Sequence, residues 1–203
     1  MATTIPAAAS TDRMIAVFDC GGGSGGGTAP SGWTRVYDSN EYLTIYEKIG
    51  SDAGGTTNFT QDASGGFACQ VFLIAGAHAS TAFEYGTQAT GNDAAPNSGS
   101  LSPAGGSQDY LWLAVNMHGH LFGTTRTVST FPSGYTSTTP ADYRPSFAQC
   151  LVAVGYKAST ASSEDPGAFA LSGAIQVWRA ITLAVSPAAA AATASRRMLM
   201  GVG

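Results

Sequence analysis

Hydrophobic positions fall in short runs separated by glycine, proline and threonine. Residues 14–18 (MIAVF), 67–75 (FACQVFLIA), 110–117 (YLWLAVNM) and 147–156 (FAQCLVAVGY) are nearly continuous apolar segments. Runs of this length, rich in aromatic and β-branched residues and bounded by turn formers, predict buried strands, with 67–75 a central one. Residues 33–38 (WTRVYD) and 42–50 (YLTIYEKIG) alternate instead, the period of a half-buried strand. In the second, Leu43, Ile45, Glu47 and Ile49 share one face, and Tyr42, Thr44, Tyr46 and Lys48 the other. Residues 52–55 read as a turn and 56–60 (TTNFT) as the strand returning from it. Residues 169–171 and 175–185 (IQVWRAITLAV) supply the last strand or two.

Three long connections punctuate these runs: 20–32 (CGGGSGGGTAPSG), 86–107 and 130–145. Together the pattern predicts an all-β fold, a β-sandwich or jelly roll of about eight to ten short antiparallel strands. No repeat of 20–50 residues is evident. Residues 1–13 read as an N-terminal arm, 14–185 as the β-sandwich domain and 186–203 as a C-terminal tail. The tail opens with Ser186 and Pro187 ahead of an alanine run, the order of an N-cap, a first helical position and strong helix formers. It predicts a short docking helix ending in an apolar tip, Met198, Leu199 and Met200, beside Arg196 and Arg197.

Composition sharpens this picture. Charged residues make up 11% of the 203, under half the usual share of about 25%. A coiled coil or bundle needs charged outer helix faces, so neither fits. The net charge of -4 gives no basic footprint for nucleic acid. No apolar run approaches the roughly 20 residues of a membrane-spanning helix. Residues 1–13 lack a basic start followed by an apolar core, so no secretory signal is expected. Cys20, Cys69 and Cys150 are odd in number and far apart; they read as small apolar residues of a chain made in a reducing cytoplasm.

Candidate chemistry is sparse. Ser24 lies in a formal GxSxG pattern, but a strand follows it where a nucleophile elbow requires a helix. His118 and His120 have the one spacing suited to a metal, because residues i and i+2 of a strand face the same side. Two ligands fall short of the four of a structural zinc site, and a threefold assembly would gather six. No cofactor is expected. Trp33, Trp112 and Trp178 sit in apolar strand patterns and read as core residues.

Several segments are similar to a β-sandwich domain of tailed-bacteriophage virion proteins. They are Pro30-Ser31-Gly32-Trp33-Thr34, the strand and turn 46–60 (YEKIGSDAGGTTNFT), the run ending IAGA at 74–77, and Phe131-Pro132-Ser133-Gly134-Tyr135-Thr136. Trp178-Arg179-Ala180 with 181–185 resembles the closing strand, so the likeness covers about residues 14–185. These are turn and core signatures: Pro30, Gly32, Trp33, Gly134, Tyr135 and Trp178 shape structure, and no catalytic residue carries over. The resemblance implies a non-enzymatic virion structural protein made in the host bacterial cytoplasm. A chain of one small domain suits a capsid decoration (cement) protein, a homotrimer on the major capsid protein. The alternatives are a tail or tail-tip protein, and a carbohydrate-binding adhesion module using Phe83, Tyr85, Phe131, Tyr135 and Tyr143 in or beside the long loops.

Overall fold

The computed structural model describes residues 2–9, 12–21, 28–39, 42–50, 52–60, 66–75, 77, 83–120, 127–143, 149–173 and 177–188. Among the described residues there is no helix, and every strand pairing is antiparallel. The strands are β1 (Ala2–Ile5), β2 (Arg13–Gly21), β3 (Thr34–Asp38), β4 (Leu43–Ile49), β5 (Gly55–Asn58), β6 (Gly66–Ile74), β7 (Glu84–Tyr85) and β8 (Ala89–Gly91). They continue with β9 (Gln108–His120), β10 (Thr127–Thr130), β11 (Thr136–Ser137), β12 (Ala141–Tyr143), β13 (Gln149–Ala161), β14 (Ala170–Ser172) and β15 (Trp178–Val185). A small sheet runs β3-β4-β2-β6, and a large one runs β11-β13-β9-β15-β7, with β12 also on β13 and β8 on β15.

The main core lies between the two sheets. Ile15, Val17, Leu43 and Ile45 of the small sheet meet Leu113, Val115, Val152, Val154, Ile181 and Leu183 of the large one. The intervening residues are buried as well: Met14, Ala16, Phe18 and Tyr46 on one outer face, Trp112, Ala114 and Ala153 on the other. Each sheet is therefore covered on both faces, which is why residues 14–18 and 110–117 read as continuous apolar runs. The outer face of the small sheet is capped by the ribbon β1–β5, through Ile5 and Phe59. The large sheet is capped by the β8–β9 loop through Leu101 and by the segment before β14 through Phe169.

Three expectations change. Residues 1–13 are more than an arm: β1 pairs with β5 and β2 begins at Arg13. Residues 56–60 do not return against 42–50. Ala8 and Asp52 exchange two backbone hydrogen bonds of 3.0 Å, and the chain leaves the sheet plane to join β1. The apolar run 67–75 is an outermost strand of the small sheet, not a central one. Its apolar character serves the layers above and below it; Phe72 packs on the inner core and Val71 on the outer cluster.

The two sheets share one connectivity. In chain order, β2, β3, β4 and β6 lie in space as β3-β4-β2-β6; β9, β11, β13 and β15 lie as β11-β13-β9-β15. The same turn starts the second strand of each set. The Trp33 N–H donates to the Pro30 carbonyl at 2.9 Å, and the Tyr135 N–H to the Pro132 carbonyl at 3.1 Å. Gly32 and Gly134 take φ of 80° and 78°, the left-handed value a type II turn needs at its third residue. The recurrence of PSG-aromatic-Thr is thus the sequence trace of two topologically equivalent halves.

Candidate interaction surface

At the β6 edge the sheets part. Phe72 and Ile74 face Leu111, Leu113, Val154 and Tyr156 across an open groove of about 200 Å³. That exceeds the roughly 150 Å³ apolar cavity that accommodates benzene. Nearby, the Gln70 side-chain amide donates to the Thr139 carbonyl, tying the segment before β12 over the upstream half of β6. Beyond it the edge opens, leaving Tyr156 41% and Leu73 38% exposed. The last described residues, which follow β15, lie at the same end. Leu111, in the groove wall, is the register partner of Val185, and Ala77, three residues after Ile74, bridges to Pro187.

Several charged side chains pair inside the fold. Arg13 Nε lies 2.9 Å from Glu47 Oε1, with the side chains 1% and 8% exposed. Burial pushes the Glu47 carboxyl up from its ordinary value despite the attraction of Arg13, and lowers the Arg13 guanidinium despite Glu47. Lys48 pairs with Asp52, Arg35 with Asp38 and Lys157 with Glu164. Glu164 also accepts from the Tyr135 hydroxyl at 3.3 Å. Burial, then the Glu164 charge, raises the Tyr135 phenol well above its ordinary range. Arg179 donates to the Thr90 hydroxyl at 2.7 Å and lies 4.9 Å from the centre of the Tyr42 ring.

The residues singled out from sequence take structural places. Trp33 is buried edge-on to Phe59, ring centroids 5.3 Å apart. Trp178 is buried beside Gly91 and donates its indole N–H to Asp93 at 3.1 Å. All three tryptophans are core residues as expected, but on outer faces of the sheets. His118 is fully buried, its Nδ1 3.3 Å from the Asn116 amide nitrogen. His120 follows on the same strand. Among the described residues no three His, Cys, Asp or Glu side chains gather as a metal site would require. Cys69 and Cys150 are buried, and burial pushes the Cys69 thiol up to about 12.

Of the loop aromatics, the Tyr143 side chain lies outside the described residues, and the others take separate places. Phe83 is buried, Phe131 meets Phe169 edge-on at 5.5 Å, and Tyr135 is tied to Glu164. Tyr85 is exposed but meets Tyr37 edge-on at 5.1 Å. Ser24, Arg196, Arg197, Met198, Leu199 and Met200 lie outside the described residues, as does the predicted tail helix beyond Ala188. The groove itself was missed by sequence reasoning. Its only trace is an unbroken apolar run, which does not distinguish a wall facing core from a wall facing solvent. No known protein family, characterised protein or solved structure matches this chain.

Proposed function

We propose that the protein is a non-enzymatic structural protein of a bacteriophage virion, a capsid decoration protein that binds the shell as a homotrimer and stabilises it. The observation that carries this reading is the division of labour between polar and apolar groups. The charges of Arg13–Glu47, Lys48–Asp52 and Lys157–Glu164 are paired with one another within the domain, while the open groove presents Phe72, Leu111 and Tyr156. Such a surface suits protein contact, since charge is depleted at the centre of protein interfaces. The low charged fraction and the phage-like turn signatures, PSGWT and PSGYT, support the same reading. A protein that binds only the assembled shell stabilises that state by mass action. Its partners are further copies of itself and the major capsid protein.

Immunogold labelling of particles with antibody against the folded domain tests the reading. Gold over the head is expected. Gold confined to the tail supports a tail protein instead, and unlabelled particles overturn a virion role.

A further inference from the structure

The groove and the point where the chain leaves the domain are adjacent, and this identifies an occupant. Leu111 in the groove wall pairs with Val185, and Pro187 bridges Ala77, so residues 189–203 start at the groove's end. The segment nearest the groove offers no side chain large enough to fill it, since residues 188–192 are all alanine. The bulky apolar residues, Met198, Leu199 and Met200, come ten or more positions later, about 15 Å on along the helix that the alanine run predicts. Between them, 188–197 contains neither Gly nor Pro, the residues that break or kink a helix. A helix of this composition would carry the apolar tip away from the groove beside which it starts, toward a neighbouring copy.

We infer that the β6-edge groove of one copy receives the Met198–Leu199–Met200 tip of a neighbouring copy, linking subunits of the homo-oligomer. This rests on the homotrimer of the proposed function. Unbranched methionine side chains suit an irregular apolar cleft walled by Phe72, Val154 and Tyr156. Among the described residues β6 ends its sheet and pairs only with β2, so its outer backbone edge is the one an incoming segment would pair with.

The test uses full-length chains. Differently tagged Tyr156→Cys and Leu199→Cys copies are co-expressed and oxidised. The expected product is a disulfide-linked pair containing one copy of each. Closure only within the double variant Tyr156→Cys/Leu199→Cys, or no cross-link, overturns the inference. Molar mass in solution is read in parallel for wild type, for a chain lacking residues 189–203, and for Tyr156→Glu, a change at an exposed position. Both variants are expected to lose the oligomer while keeping the wild-type circular dichroism spectrum. A wild-type oligomer that survives both changes overturns the inference and leaves the homotrimer standing. A wild-type protein that is monomeric at every concentration overturns the homotrimer itself. Tyr156→Glu that weakens particle binding with the oligomer intact assigns the groove to the capsid protein and overturns the inference.

Discussion

Arg13 and Glu47 form an ion pair at the rim of the main core, on the inner-face positions that continue Ile15 and Ile45. Both side chains are nearly fully buried, so the loss of either charge is costly to the other. Glu47→Gln is expected to destabilise the domain by about 3–5 kcal/mol, because it removes the carboxylate charge that faces a buried guanidinium. Arg13→Met/Glu47→Leu, which removes both charges, is expected to recover most of that loss. Urea denaturation of the three proteins checks this; a double variant no better than Glu47→Gln contradicts it.

Asp52 sets an acid limit. The Lys48 ammonium and the Gly54 N–H bond its carboxylate and hold it below its ordinary value. A carboxylate depressed in the folded state contributes stability that is present above its unfolded pKa and lost as pH falls through the folded one. The stability gap between wild type and Asp52→Asn is therefore expected to be constant above about pH 4 and to close below it. Denaturation midpoints from pH 7 to pH 2 measure the gap. A gap that widens on acidification reverses the sign.

The two equivalent turns make a paired prediction. Gly32→Ala and Gly134→Ala each place a side chain at positive φ and are expected to cost about 1–2 kcal/mol. Neither added methyl meets a neighbour more closely than ordinary contact, so the two costs should match. Gly91→Ala differs, since its methyl would enter the Trp178 ring, which the Asp93 bond holds in place. It should cost more and change tryptophan fluorescence, whereas equal losses at all three sites contradict the account.

Cys69 is expected to be inert. With its thiol near 12, the thiolate fraction at pH 8 is about one in ten thousand. A thiol-reactive dye should label Cys69 and Cys150 only after denaturation, with mass spectrometry of the labelled peptides as the readout. Rapid labelling of either in the native protein shows the sheets to be more open than described.

Much of the architecture was legible because burial writes itself into runs of apolar residues. The segments 14–18 and 110–117 became strands covered on both faces, and PSGWT and PSGYT became turns that drive Trp33 and Tyr135 inward. The layers were not legible. Apolarity records that Trp33, Trp112 and Trp178 are buried but not on which face. It also does not separate a central strand from an edge strand packed above and below, as β6 is. The groove arises where two sheets distant in sequence diverge, so no local pattern marks it. His118 and His120 had the spacing of ligands, yet His118 lies fully buried beside Asn116.

The central claim is that this sandwich is a gripping element on an assembled shell. An electron cryo-microscopy map of the particles that carry it tests this most directly. Density for three copies of the two-sheet domain grouped on the capsid surface is the predicted result; intact particles with that density absent from the head contradict it.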